Sequence, residues 1–319
     1  MKDFIKKVGR RPELGIFISL IVIVIVFTVL SGGKFIRLRN LATLLATGAQ
    51  LGIMTIGIAF MLISGEIDLS VGSVYGMSAL FFITFSRDLG SVPAFLLALG
   101  IAFLVGLCNG LITTKTHVPS LITTLGMMMF VRGVVYFTTG GFTTSFVTTD
   151  PFTEALGGKI AGGFYISTVW FVLLAVVFAV ILDLTTYGNW VFSVGGNKEV
   201  ARALGINVDM VRLINFVLCA FLAGLAGCIS AGRFHSVAAT HGEWMELDAI
   251  ASAVMGGCLL TGGYGTIQGA CMGALLISAL GSGLVLAGAP AYWYKAFIGI
   301  ILVIAAIINL SVIRRAVSG

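Results

Sequence analysis

Two carboxylates, Glu66 and Asp68, lie close together in the segment 64–73, among glycines and serines and between two apolar runs. Acids at the edge of an apolar phase can hold a cation or relay a proton, and charges within a membrane are costly and usually functional. The plainer interpretation is a turn in which Asp68 or Ser70 caps the following helix. The residues alone favour this turn and leave an ion site open. The predicted turn residues are Gly65, Glu66, Asp68, Leu69, Ser70 and Gly72.

A second candidate is Arg132, which lies inside the apolar run 118–138. An unpaired arginine within a membrane span is costly. We therefore expect Arg132 to pair with Asp248 or Glu246, or to face an aqueous path. A structural ion pair with Asp248 is favoured over contact with a substrate.

The most informative segment is 195–206, a charged amphipathic stretch between two apolar runs. Its sequence predicts a two-glycine turn, a short helix and a stop at Gly205. Such a helix at a membrane surface is typical of a membrane protein that is driven by a separate soluble protein. Its predicted site residues are Gly196, Asn197, Glu199, Ala201, Arg202, Ala203, Gly205 and Ile206.

Residue patterns for catalysis or metal binding are missing from the sequence. His235 and His241 share a polar segment with Glu243 and Glu246, but without the spacing of a metal site, so a solvated loop is favoured. The five cysteines fall in apolar runs and are expected to be buried thiols. No phosphate-binding loop, zinc-protease motif or nucleophile elbow occurs in the chain. We therefore predict no catalytic residue, no metal site and no ATP site in this chain, and hence no enzyme.

Composition places these segments in a membrane protein. The 319 residues are 58% hydrophobic and 10% charged, against about 25% charged in soluble domains. Long charge-free runs favour an all-α polytopic protein over a barrel. About ten transmembrane helices are predicted in a single domain over 1–319, near 14–31, 42–63, 70–86, 91–113, 118–138, 163–182, 213–232, 248–262, 267–287 and 293–311.

The net charge is +6. We interpret the basic residues as determinants of membrane topology, and we predict no nucleic acid as a partner. Basic residues precede the first span and Arg314 and Arg315 follow the last, which predicts that both termini are cytoplasmic. The first run, Leu14 to Leu30, is too long for a cleaved signal and is expected to be a retained span. The segment 183–212 is then cytoplasmic, and the loops 139–162 and 233–247 are external. This topology also places Lys34, Arg37 and Arg39 outside, which counts against it because basic residues favour the cytoplasmic side.

Two sets of three glycines have the same spacing, and each set lies at a predicted helix–turn–helix. This weak internal similarity could reflect a structural repeat or simple helix packing, and the two alternatives are equally favoured. The sets are Gly65, Gly72 and Gly76, and Gly262, Gly269 and Gly273.

Several motifs in order along the chain resemble the sugar-type permease subunits of bacterial ABC importers, the ribose permease family. Gly65 to Ser73 resembles that family's Gly-Ile-Asp-Leu-Ser-Val-Gly-Ser signature, except that Glu66 stands where the family pattern usually has glycine. The likeness continues at 125–133, is closest at 195–208, and resumes at 246–251, 256–257 and 262–265. It covers nearly the whole chain.

This resemblance implies a fold like that of type II ABC importer permeases and a role in moving a monosaccharide, such as ribose or a related sugar, across the inner membrane. Residues 196–206 would form the coupling helix, which seats in a cleft of an ABC ATPase that binds ATP and magnesium. A periplasmic or extracellular solute-binding protein would dock on the loops 139–162 and 233–247, and a second copy or a paralogue would complete a dimer. Permeases for a nucleoside, riboflavin or a branched-chain amino acid remain the nearest alternatives. An ion-coupled secondary transporter using Glu66, Asp68, Asp248 and Arg132 is a more distant one.

Overall fold

The computed structural model describes residues 12–146, 150–290, 292–300 and 303. The predicted basic cluster at the N-terminus, most of the last predicted span, and Arg314 and Arg315 lie outside the described residues.

The described chain is almost entirely helical, as predicted. Its helices are α1 (Pro12–Leu30), α2 (Leu38–Ile63), α3 (Val71–Leu89), α4 (Ser91–Lys115), α5 (Ser120–Thr139), α6 (Pro151–Gly157), α7 (Ile166–Leu184), α8 (Thr186–Gly196), α9 (Lys198–Ala203), α10 (Val208–Phe234), α11 (Met245–Met255) and α12 (Ile267–Leu286). Two short strands, β1 (Thr144–Ser145) and β2 (Ser236–Val237), pair antiparallel.

Among the described residues, six helices are long and apolar enough to cross a membrane: α2, α4, α5, α7, α10 and α12. The predicted number of about ten transmembrane helices is not confirmed, because some helices are too short or carry charged residues. The apolar part of α1, Gly15–Leu30, is shorter. α3 carries Arg87 and Asp88 in its last turn, and α11 has only 11 residues.

α2 is the centre of the bundle. It is apolar around its whole circumference, and nearly every residue from Gly48 to Ile63 is buried. α10, α12, α7 and α11 pack around it, while α3 and α4 pack on α10. By contrast, α5 and α7 leave most of their surface exposed to what would be lipid or a partner.

Small residues set the helix spacing around α10. A Cβ on Gly57 of α2 would lie 2.8 Å from the Cα of Cys219, and one on Gly106 of α4 would lie 2.8 Å from the Cα of Val217. Without these side chains the backbones approach closely, which is how membrane helices gain packing contacts.

The bundle has two distinguishable ends. The turn between α2 and α3 lies against α9, and we call this the coupling end. At the other, hairpin end, β1 pairs with β2, with Thr144 opposite Val237. The segments that contain β1 and β2 therefore meet at one end of the molecule, opposite α9.

Candidate functional site

The site begins with α9, whose ends are set by its own residues. The Oδ1 atom of Asn197 accepts hydrogen bonds from the N–H groups of Glu199 (2.9 Å) and Val200 (3.1 Å), so Asn197 caps the helix. Gly205 ends it with φ +84°, and the N–H of Ile206 returns to the carbonyl of Ala201 at 3.0 Å. Gly196 is exposed before the cap, and Asn207 caps α10 directly afterwards.

α9 presents an apolar face to its surroundings. Val200, Ala203 and Leu204 are all exposed, and their spacing puts them on one side of the helix. Leu204 is 73% exposed, and with Val200 and Ala203 it gives α9 an exposed apolar side.

Two of the predicted site residues of α9, Ala201 and Ala203, lie on different sides of the helix. Ala201 is buried at 1% exposure, so it packs inward on the chain itself, and only Ala203 faces out. One helical turn cannot direct two residues at this spacing to the same side. The spacing of Val200, Ala203 and Leu204 in the sequence could have identified the exposed face. The sequence analysis did not use this spacing.

Glu66 ties α9 to the rest of the bundle. Its Oε1 atom accepts from Nζ of Lys198 at 2.6 Å and from Nε of Arg212, on α10, at 2.7 Å. Glu66 is only 4% exposed. Burial by itself raises the pKa of this carboxyl, but the hydrogen bond from Lys198 and the charge of Arg212 outweigh it and hold the pKa below its ordinary value.

The ion pairs continue along the coupling end. Arg212 also lies 3.8 Å from Asp209, and Asp209 pairs with Arg202 at 3.3 Å. Both Arg202 and Asp209 are exposed, so this outer pair contributes little stability. Glu199 is exposed in the first turn of α9, and within the described residues it makes no ion pair.

Three backbone segments meet beside α9. Gly65 and Gly262 both have positive φ, +75° and +86°. A Cβ on Gly262 would lie 3.0 Å from the Cα of Gly65 and 2.7 Å from the carbonyl oxygen of Gly195. The N–H of Gly263 donates to the carbonyl of Ile63 at 2.8 Å. The two turns of the glycine echo therefore touch each other and the end of α8.

The turn itself is held by Asp68. Its Oδ1 atom accepts from the N–H of Ser70 at 2.8 Å and from the Ser70 hydroxyl at 2.6 Å, and Asn109 of α4 donates to that hydroxyl at 2.9 Å. Ser70 is the N-cap residue of α3 but makes no side-chain cap. Leu69 packs against the core, and Gly72 leaves room for the side chain of Glu246.

The structure does not bring Arg132 and Asp248 together. Arg132 donates to the carbonyl oxygen of His241 at 2.8 Å, and Asp248 accepts from the hydroxyl of Tyr294 at 3.5 Å. The ion pairs within the described residues do not include Arg132. Carbonyl oxygens of the chain satisfy this arginine because the segment after β2 turns inward beside it.

The histidine segment is consequently not the solvated loop that its polar sequence suggested. The His241 ring stacks on Tyr75 with centroids 5.0 Å apart, and its Nε2 atom lies 3.0 Å from the Ser230 hydroxyl. Glu246 is buried. Among the cysteines, Cys108 is exposed whereas the other four are buried. A polar sequence between apolar runs does not distinguish a surface loop from one that enters the bundle.

A helical bundle with six apolar helices among the described residues, and a capped helix exposed at one end, has the architecture of a multi-pass membrane protein. The chain belongs to the family of permease components of branched-chain amino acid transport systems, whose model matches residues 40–306. This membership gives the chain a transport rather than a catalytic role.

Curated relatives extend over almost the whole chain. It is 33% identical to the xylose/arabinose import permease protein XylH of Sulfolobus acidocaldarius, over 96% of this chain and 86% of the relative. It is 33% identical to the ribose import permease protein RbsC of Bacillus subtilis, over 94% of each. It is 31% identical to the autoinducer 2 import system permease protein LsrC of Yersinia enterocolitica, over 84% of this chain and 74% of the relative. No solved structure gave a significant match.

Proposed function

We propose that this chain is the membrane-spanning permease subunit of an ATP-binding-cassette importer for a monosaccharide. The observation that carries this proposal is α9: a capped helix that exposes Val200, Ala203 and Leu204 and is fixed to the bundle by Glu66. An apolar face at the end of a membrane bundle is suited to seating in a cleft of a soluble partner.

The partner on α9 is an ABC ATPase, which binds ATP and magnesium on its own chain. Glu199 and Arg202 lie at the edge of the exposed face and offer charges to the rim of its cleft. Closure of two ATPases would move α9, and the bundle would swing between inward-open and outward-open states. This requires two permease chains, either two copies or one copy and a paralogue.

The solute is a monosaccharide such as ribose, xylose or a related sugar. Import permeases named for ribose and for xylose and arabinose, each 33% identical to this chain, support this choice. A solute-binding protein outside the membrane would deliver the sugar to the hairpin end, where the loops 139–162 and 233–247 meet. The coupling end and both termini would then be cytoplasmic, in the inner membrane, with about ten spans.

The proposal is tested in proteoliposomes that contain the permease, its ATPase and its binding protein. Uptake of labelled ribose, xylose and galactose is measured with ATP, without ATP, and with an ion gradient in place of ATP. We expect uptake of at least one sugar to require both ATP and the binding protein.

Two results would overturn this function. Uptake by the permease alone, driven by an ion gradient, would make the chain a secondary transporter. ATP-dependent uptake of a branched-chain amino acid, a nucleoside or riboflavin, with no uptake of any sugar, would keep the importer and reject the solute.

A further inference from the structure

Three basic residues, which we call the basic corner, are exposed where α1 turns into α2 at the hairpin end of the bundle. They are Lys34, Arg37 and Arg39. Within the part of the chain that the structure describes, none of them forms an ion pair. On the proposed topology they lie outside, where membrane proteins carry fewer basic residues than on the cytoplasmic side. A negatively charged ligand at this position would account for them.

The turn that carries the basic corner is held by packing and hydrogen bonds. Phe35 is fully buried, and its ring stacks on Phe27 of α1 with centroids 5.8 Å apart. Its N–H donates to the Ser31 hydroxyl at 2.9 Å, and its carbonyl oxygen accepts from Asn40 of α2 at 2.7 Å. Asn40 in turn accepts from Ser282 of α12 at 2.8 Å. The bases are therefore attached to a fixed junction of α1, α2 and α12.

The three helices of this junction bring no acid to the basic corner. The sequence has no Asp or Glu between Glu13 and Glu66, and none after Asp248. Glu66 lies beyond the far end of α2, whose 26 residues span about 39 Å. The acids of the hairpin end lie on other segments and make no ion pair with the corner. Its positive charge is therefore left to attract an anion.

An apolar stripe on α1 leads to the basic corner. α1 packs on α12 with one side. Its outer side presents Val22, Ile25, Val26 and Val29, which are between 44% and 74% exposed. Their spacing places them in one line along the helix. Because α1 ends directly before the turn, the same surface offers an apolar strip and, at the end of the strip, a group of cations.

This combination fits an amphiphile with an anionic head group. Guanidinium groups bind phosphate oxygens in a planar, two-pronged geometry, and basic residues at a membrane surface are attracted to anionic lipids. A free phosphate or an acidic soluble protein would match the charges but would leave the apolar stripe uncovered. An acyl chain covers the stripe while the phosphate of the same molecule meets the bases.

We infer that the basic corner and the α1 stripe bind an anionic phospholipid, with its phosphate between Lys34, Arg37 and Arg39 and an acyl chain along the stripe. The lipid belongs to the leaflet at the hairpin end, which is the outer leaflet on the proposed topology. Such a site goes beyond the proposed import function and is independent of the solute that is carried.

The test measures lipid binding by the purified full-length permease in detergent. Phosphatidylglycerol, phosphatidylcholine and glycerol 3-phosphate are each titrated, and the unfolding temperature and the mass of the lipid-bound chain are recorded. The paired variant is Arg37→Gln with Arg39→Gln. Its matched control is Arg87→Gln with Lys115→Gln, which removes the same charge from other exposed positions. Binding is measured instead of sugar uptake because the basic corner lies at the opposite end from α9.

We expect wild type to bind phosphatidylglycerol about tenfold or more tightly than phosphatidylcholine, because only the former has a net negative head group. The paired variant should lose about tenfold or more in its affinity for phosphatidylglycerol, while the control stays within about twofold of wild type. Glycerol 3-phosphate should leave the unfolding temperature unchanged, because it lacks acyl chains. Lys34→Gln alone should cause a smaller loss of affinity, which tests the corner even where the paired variant is unstable.

Three results would overturn the inference. Equal affinities of wild type for the two lipids would mean that the head-group charge is not recognised. Unchanged binding of phosphatidylglycerol in the paired variant and in Lys34→Gln would place the lipid elsewhere, and loss of docking of the solute-binding protein in the same variants would make the corner a protein contact. Stabilisation by glycerol 3-phosphate equal to that by phosphatidylglycerol would make it a site for free phosphate. Failure of the proposed function is distinguishable, because this assay contains no ATP, ATPase or sugar.

Discussion

The carboxylate of Glu66 accepts a hydrogen bond from the ammonium group of Lys198 at 2.6 Å, across 132 positions of sequence. Glu66 belongs to the turn between α2 and α3, and Lys198 is the first residue of the exposed helix α9. The same oxygen also accepts from Arg212, so one carboxylate joins α9, α10 and the turn between α2 and α3.

The first prediction concerns this link. Glu66→Gln leaves Lys198 and Arg212 without their common counter-charge. Hydrogen bonds to charged groups contribute about 1.5–3 kcal/mol each, so the purified permease should be destabilised by an amount of that order. Thermal unfolding in detergent measures it. In the complete complex, sugar transported per ATP hydrolysed should also fall.

Glu199→Gln is the matched control, because Glu199 is exposed and makes no ion pair among the described residues. It should leave the unfolding temperature of the isolated permease unchanged. An equal loss of stability in both variants would show that Glu66 does not act through its ion pairs.

The second prediction is a pH dependence. The pKa of Glu66 is lowered in the folded chain, chiefly because the Lys198 and Arg212 interactions exceed the effect of burial. A lowered folded pKa means that the stabilisation is fully present above the ordinary value of about 4.3 and is lost as pH falls through the folded pKa.

Unfolding temperatures of wild type and Glu66→Gln should therefore differ by a constant amount from pH 8 to about pH 5.5, well above that ordinary value. The difference should shrink only below about pH 4. A difference that already disappears near pH 6 would contradict the predicted direction of the pKa.

The third prediction tests the glycine junction. A Cβ on Gly195 would collide with the carbonyl of Ile63 and lie 2.6 Å from the N–H of Gly263. Gly195→Ala should therefore cost about 1–3 kcal/mol of stability, as overpacking usually does. The neighbouring Gly196 has open space around its Cα, so Gly196→Ala should be neutral or slightly stabilising. Equal unfolding temperatures for the two variants would mean that the two glycine turns and the end of α8 do not meet as described.

Much of the fold follows from local sequence properties. Apolar runs predict the helices, and the glycine and asparagine that bound α9 predict its ends, because capping and left-handed backbone are decided by a few adjacent residues. Counting spans placed the loops 139–162 and 233–247 on the same side of the membrane, which stays a prediction, whereas their contact is seen only in the pairing of β1 with β2.

The contacts between distant segments could not be predicted in this way. Glu66 was recognised as unusual, but its partners lie on α9 and α10, and only the packing of the bundle brings them within hydrogen-bond distance. Arg132 was assigned a carboxylate partner because charge pairing is the usual solution, whereas the inward turn at His241 supplies carbonyl oxygens instead. The burial of Ala201 depends on which side of a six-residue helix meets the bundle.

The most direct test of the account is the exposed face of α9. In proteoliposomes with the ATPase and binding protein, Leu204→Asp is compared with Leu38→Asp, an exposed leucine at the hairpin end. A charge placed in the centre of an apolar contact should prevent docking, so Leu204→Asp should lose ATPase binding and lower ATP-dependent sugar uptake by about tenfold or more, equivalent to about 1.4 kcal/mol or more, while Leu38→Asp stays near wild type. Full ATPase binding and uptake in Leu204→Asp would contradict the account.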